Sequence, residues 1–317
     1  MALTERRPAA PAEQHAEHRL GAVAGAAAYT LWGLFPLVFH QLDDVDAIEI
    51  LLHRVVWSFV VVTALLVIAR DRRWFDAVRA TPNGLRNLAL AAGFISINWL
   101  VYIWAVNSER VVEAALGYYI NPLITVALGI VVLGEHLRRL QVVALAFAVA
   151  AVAVLTVAYG RVPWVSLTLA CSFATYGFIK KSVPVKATTS LAVETAVLAP
   201  LAVIGMVVLQ VQGEAAFLDG SGGRDALLVS LGVVTAVPLL LFATAASRIP
   251  LSLLGLLQYL TPTMQLMCGV LVFHEPLPPE RLAGFVLVWI ALAALGIDAL
   301  RTARRPREEP IPIVEPA

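Results

Sequence analysis

Charge is what this sequence has least of. Of 317 residues, 14% are Asp, Glu, Lys or Arg, against about 25% in soluble domains. Lysine is nearly absent: Lys180, Lys181 and Lys186 are the only three, and arginine supplies the other cations. The formal net charge of +1 leaves no basic face for a nucleic acid to neutralise. There are two cysteines, Cys171 and Cys268, both inside apolar runs. They exclude a disulfide framework and offer no metal-ligand spacing, so both read as small core residues. No phosphate-cradling glycine loop, no HExxH and no Ser/His/Asp set at one membrane depth is present, so no enzyme, cofactor or metal is expected. Without an ATPase domain, any pumping must be secondary.

What the chain does contain is apolar surface. Hydrophobic residues make up 60% and the mean hydropathy is +0.82. A soluble fold of this size could not bury that much, so lipid is the solvent. A helix needs about 20 apolar residues to cross the hydrocarbon core. That ruler gives ten spans, at 20–40, 47–69, 85–106, 112–133, 140–160, 163–180, 190–212, 226–246, 250–273 and 281–300. The runs are continuous rather than alternating, which excludes a β-barrel. The first is longer than the apolar region of a cleavable signal, so no cleavage is expected. The segments 1–19 and 301–317 are charged and Pro-containing and read as disordered cytoplasmic tails.

Orientation follows from the basic residues. With the N-terminus inside, 18 of the 23 Lys and Arg fall in cytoplasmic segments and four (Arg110, Arg161, Arg224 and Arg281) outside; Arg54 lies within a span. Both termini are therefore expected in the cytoplasm. Asp43, Asp44, Asp46, Glu214, Asp219 and Asp225 fall in outer segments.

The chain repeats itself. Leu116–Glu135 returns, altered, as Leu256–Glu275, a constant 140 positions later, pairing Tyr119 with Tyr259, Pro122 with Pro262 and Glu135 with Glu275. A weaker echo with slipped register pairs Trp32 with Tyr176 and Glu49 with Glu194. Spans 1–5 thus resemble spans 6–10. Five is odd, so the second half enters the membrane upside down, an arrangement typical of secondary transporters that handle cargo at the midplane between their halves. The expected fold is all-α and integral to the membrane: ten helices in two inverted repeats, 20–160 and 163–300, with both ends inside.

Polar residues within spans mark the candidate site. Tyr118, Asn121 and Thr125 share one helical face, as do Gln258, Thr261 and Gln265 after the 140-residue shift. Each stripe either lines a cargo cavity or hydrogen-bonds neighbouring helices. Pro122 and Pro262 each free a carbonyl inside these stripes, as matched hinges or as static packing. Asn98 and Tyr102 share a face of span 3, beside Trp99. Trp32 and Tyr176 wall the same cavity or belong to the core. Arg54 either snorkels to the outer interface or turns inward, towards a carboxylate or an anionic cargo. Glu49, with His53 one turn on, and Glu194 are candidates for proton coupling. Glu113 and Glu135 read as interfacial caps or ion pairs.

Several blocks together resemble a family. W-G-L-F-P (Trp32–Pro36), E-I-L-L-H-R-V-V-W-S (Glu49–Ser58), N-W-L-V-Y-I-W-A-V-N (Asn98–Asn107), L-G-Y-Y-I-N-P-L (Leu116–Leu123), P-L-L-L-F-A (Pro238–Ala243), G-L-L-Q-Y-L-T-P-T (Gly255–Thr263) and F-V-L-V-W-I-A-L (Phe285–Leu292) are similar to RarD-type permeases, of the EamA branch of the drug/metabolite transporter superfamily. The resemblance covers all but the tails. It departs at Ala115, where these permeases usually carry a small residue such as Ser. It implies ten helices in two inverted repeats and a permease of the cytoplasmic membrane, of a group often labelled by chloramphenicol sensitivity or resistance. The expected function is export of small metabolites or drugs by alternating access, with lipid scrambling or a channel-like pore as the alternative. The expected partners are a small-molecule cargo, membrane lipid and H+, in a monomer or homodimer.

Overall fold

The computed structural model describes residues 11–70, 73–134 and 138–303. Among the described residues there are helices and no strands, as lipid requires: a helix satisfies its backbone groups internally. The helices are α1 (Pro11–Gly33), α2 (Phe35–Phe39), α3 (Ala47–Ile68), α4 (Asp76–Ala80), α5 (Gly84–Asn107), α6 (Val111–Leu133), α7 (Arg139–Tyr159), α8 (Trp164–Lys181), α9 (Ala187–Gln212), α10 (Gly222–Ala246), α11 (Leu251–Leu257), α12 (Leu260–Met267) and α13 (Pro279–Ala303). Local capping sets several of the boundaries. Asp46 caps α3 by accepting from the Ile48 amide at 2.8 Å. Gly134, Gly160 and Gly213 end α6, α7 and α9 with φ of 66°, 66° and 73°.

Among the described residues, eight helices are long and apolar enough to cross a membrane, and the pair Glu17–Gly33 and Phe35–Leu42, bent by 40°, makes a ninth if it is one span. α8 stands where a sixth span was expected. Its 18 residues end in Lys180 and Lys181 and fall short in apolarity, consistent with a helix packed between α5 and α6.

Three local expectations need correction. The first apolar run is broken at Gly33–Leu34: Pro36 sits in the first turn of α2, and α1 approaches α12 so closely that a Cβ on Gly33 would lie 2.5 Å from Met264 Cβ. α1 also starts at Pro11, inside the segment expected to be a tail; good helix formers extend it, and Glu17 accepts from Arg248 at 2.6 Å. Cys171 is exposed rather than core, on the outer side of α8, whereas Cys268 is buried. Residues 1–10, 304–317 and Glu135 lie outside the described residues.

The ninth expected run is segmented. α11 and α12 meet at Gln258–Tyr259, and a π turn, Cys268–Val272, follows. Pro262 occupies the first turn of α12, where a missing amide costs little. Pro122, its repeat partner, lies inside the unbroken α6.

Eight helices close a ring, each packed on the next: α1, α10, α3, α9, α5, α8, α6, α12 and back to α1. α7 and α13 pair with each other and lean on α6 from outside. Where α6 meets α8 the backbones nearly touch: a Cβ on Gly117 would lie 2.8 Å from the Ser166 carbonyl oxygen. The outward surface is apolar, with Val131, Val157 and Val211 more than 80% exposed, which suits lipid and not water.

Candidate polar centre

The ring gathers the polar residues of its spans. From α3, Arg54 points inward and is only 4% exposed. Its Nε donates to Thr235 Oγ1 of α10 at 3.1 Å. Its guanidinium lies 4.0 Å from the Trp99 ring centre and 5.4 and 5.6 Å from those of Phe35 and Phe39. No carboxylate lies within ion-pair distance of it among the described residues. Arg54 is thus buried among helices rather than extended to the outer interface.

α5 and α6 supply a connected polar set. Tyr118 donates to Asn98 Oδ1 at 3.0 Å, and Asn98 Nδ2 donates to the Leu169 carbonyl at 3.0 Å and Ser172 Oγ at 3.1 Å, tying both helices to α8. Tyr102 stacks edge-on to Tyr118, with ring centres 5.7 Å apart. From α12, Gln265 donates to the Tyr102 hydroxyl at 3.1 Å and to the Trp32 carbonyl at 3.4 Å. Phe39, beside the Arg54 guanidinium, also packs edge-on to Tyr102 at 6.0 Å, so Arg54, Asn98, Tyr102, Tyr118 and Gln265, drawn from four helices, form one cluster. Gln265 Oε1, Asn121 Oδ1 and Ser58 Oγ are buried without a hydrogen-bond partner, in a region where most such atoms are paired.

Other expected site residues fall around this centre. Thr125 donates to the Asn121 carbonyl of its own helix at 3.0 Å. Thr261 donates to the Tyr29 carbonyl at 2.8 Å, a helix-to-helix bond between α12 and α1. Gln258 is half-buried at the α11–α12 junction. Trp32 packs against Tyr29 and Phe242, ring centres 5.5 and 5.9 Å away. Tyr176 donates to Glu194 at 3.3 Å and connects to the centre through Phe173, in a ladder of rings with Tyr118.

The carboxylates are more buried than their positions near span ends suggest. Glu49, 2% exposed, accepts from the Ala216 amide at 2.9 Å and the Phe217 amide at 3.0 Å, so α3 holds the segment before α10. His53 accepts from Trp57 Nε1 at 3.1 Å and stacks on Phe217. Glu194 takes Ser190 at 2.6 Å and Lys180 at 2.9 Å. Glu113 pairs with Arg110 at 2.7 Å and Arg161 at 3.0 Å, as its interfacial reading anticipates. Glu275, after the π turn, accepts from the Val111 and Val112 amides at 2.6 and 2.9 Å and so caps α6 from the other half. Burial nonetheless raises its carboxyl above the usual range, against the pull of those two amides.

Sequence reading missed Thr235, Phe35, Phe39 and Ser172. Thr235 is a lone hydroxyl in an apolar run, and nothing in its spacing names Arg54 as its partner. Phe35 and Phe39 share a helical face but look like ordinary core residues.

The EamA-like transporter family matches residues 19–157. Protein RarD of Streptomyces exfoliatus is 53% identical over 292 residues, covering 92% of both chains. The uncharacterized transporter YojE of Bacillus subtilis is 43% identical, over 92% of this chain and 98% of its own. A protein of known crystal structure shares the fold at a TM-score of 0.57 and 19% identity, over 89% of this chain and 98% of the other. Fold and relatives together define the class, a multi-pass helical membrane transporter. Within it, the chain belongs to the RarD-type permeases of the EamA branch of the drug/metabolite transporter superfamily.

Proposed function

We propose that this permease is a secondary exporter of small metabolites or drugs in the cytoplasmic membrane, working by alternating access around the cluster at Arg54, Asn98, Tyr102, Tyr118 and Gln265. The observation that carries this reading is a buried, incompletely satisfied polar cluster built by helices from both halves of the chain. Polar groups at such depth are costly and serve passage more often than scaffolding.

Ten spans in two inverted halves, with both termini cytoplasmic, complete the reading. Exchanging α1, α3, α5, α6 and α7 for α8, α9, α10, α11–α12 and α13 carries the set of neighbour pairs of the ring onto itself. The α7–α13, α3–α9 and α6–α12 pairs map onto themselves. That supports two halves related by a two-fold axis, and an odd number of spans in each half would lay that axis in the membrane plane. The family match to residues 19–157 spans one such half.

Proton coupling falls to Glu194 rather than Glu49. Glu194 is held by side chains that can rotate away, Lys180, Ser190 and Tyr176; Glu49 is held by backbone amides. The test is a cargo screen in proteoliposomes under imposed proton, sodium and exchange gradients. Carrier-dependent flux that follows one gradient is expected. Flux that ignores every gradient and saturates with no solute, or lipid movement without solute flux, overturns the exporter reading.

A further inference from the structure

We propose that the polar centre is an anion-binding site, and that the cargo is a small organic anion with a flat apolar body, its carboxylate or phosphate held by Arg54. The inference rests on the transport reading and narrows it to a substrate class.

Arg54 is a cation that cannot be neutralised in place, because a guanidinium keeps its proton in proteins. It is buried, yet among the described residues it is answered by one hydroxyl, Thr235, and by aromatic rings. Buried charges are ordinarily paired, since an uncompensated one is strongly destabilising. Cations nearer the helix ends do have a carboxylate within 3.0 Å, as at Arg110, Arg161, Lys180, Arg224 and Arg248. The cation at the centre has none among the described residues. Its position is also single: at the spacing that relates Glu49 to Glu194, the counterpart of Arg54 is Ala199. A charge kept in one half of a duplicated frame is not there to balance the scaffold.

The surroundings fit an anion's other end. The Thr235 bond engages Nε and leaves the two terminal nitrogens of the fork without a partner among the described residues, the edge that binds carboxylate or phosphate in bidentate fashion. Around the guanidinium stand the rings of Trp99, Phe35 and Phe39, which accept a planar apolar group better than a hydrated one. Gln265, 2% exposed and with a free Oε1, adds an acceptor for a hydroxyl or protonated group elsewhere on the same molecule.

The test uses the purified full-length protein in detergent micelles and four probes of one shape: benzoate, phenyl phosphate, neutral benzamide and cationic benzylamine. Binding is read by tryptophan fluorescence, since Trp99 stacks on Arg54, and by thermal shift. At least one of the two anions should bind about tenfold or more tighter than benzamide. Arg54→Gln should abolish that preference, while Arg54→Lys retains part of it, the charge surviving without the planar fork. Benzoate and phenyl phosphate separate a carboxylate from a phosphate site. Equal binding of benzamide and both anions, or an anion preference that survives Arg54→Gln, overturns the proposal. Should Arg54→Gln not fold, Arg54→Lys and Thr235→Val decide the matter instead: a reduced anion preference in both supports the site, and an undiminished one overturns it. A proteoliposome arm in phosphatidylethanolamine–phosphatidylglycerol vesicles keeps the two readings apart. Selective anion binding without flux refutes transport and not the site; flux of neutral solutes with no anion preference refutes the site and not transport.

Discussion

Glu49 offers a measurable consequence of one side chain. Its carboxylate receives the Ala216 amide on both oxygens and the Phe217 amide on one, at 2.9–3.0 Å. These amides belong to the segment between α9 and α10, which otherwise touches α3 through the stacking of Phe217 on His53 at 4.5 Å. A hydrogen bond to a charged group contributes about 1.5–3 kcal/mol. Ala216 and Phe217 are half-buried, so the lower end applies, and the two amides together account for about 3 kcal/mol. At about 1.4 kcal/mol per factor of ten, Glu49→Ala should speed hydrogen exchange at Ala216 and Phe217 roughly 150-fold. Glu49→Gln keeps a neutral carbonyl that can still accept, at about 1 kcal/mol per bond, and should speed it only about fivefold. The assay is hydrogen–deuterium exchange on the full-length protein in micelles, with the middle of α3 as internal reference. Exchange at these two amides unchanged within about twofold in Glu49→Ala would refute the view that α3 clasps this segment. A Gln variant worse than the Ala variant would refute the assignment of the bonds to the carboxylate oxygens.

Three further outcomes follow from packing and charge. Gly117→Ala forces a Cβ to 2.8 Å from the Ser166 carbonyl oxygen and should destabilise the α6–α8 contact by about 1–3 kcal/mol. Gly177→Ala, with nothing within 4 Å of the added carbon, should be neutral or stabilising by up to about 1 kcal/mol; thermal melts of the pair decide it. Burial raises the Glu275 carboxyl above its ordinary value of 4.5, so the folded state holds that proton more tightly than the unfolded chain. Its contribution is fully present below about pH 4.5 and is lost as the pH rises through the native value; melting temperature should fall more between pH 4.5 and 7 in the native protein than in Glu275→Gln. Asn98→Leu removes the acceptor for Tyr118 and the donor to Leu169 and Ser172, and should cost about 2–4 kcal/mol in the same melts, where a purely lipid-facing Asn would gain stability from the change.

Much of the frame is legible in the residues because two periodicities write it. Run length gives span positions to within a few residues of α3, α5, α6, α7, α9, α10 and α13, and the three-to-four-residue spacing puts Asn98 with Tyr102 and Tyr118 with Asn121 on shared faces. Contacts across the ring have no such signature. The Arg54–Thr235 bond joins residues 181 positions apart and Gln265–Tyr102 joins residues 163 apart. The two polar stripes also divide in a way spacing does not encode. Tyr118 and Gln265 turn to the centre, while Thr125 and Thr261 serve backbone carbonyls. Breaks within apolar runs, at Gly33 and at Gln258, come from helices pressing on each other and from proline placement rather than from loss of hydrophobicity. Cys171 misleads because in a membrane protein the apolar outside looks like the apolar inside.

Alternating access requires the polar centre to become reachable from each face in turn, and one measurement addresses that without knowledge of the cargo. In a background with Cys171 and Cys268 replaced, Gln265→Cys is exposed to a membrane-impermeant cationic thiosulfonate in right-side-out and in inverted vesicles, alongside a leak assay for the same reagent. Alternating access predicts labelling from either side in vesicles that stay tight to the reagent. Labelling from neither side, or labelling accompanied by leak through the protein, would contradict it.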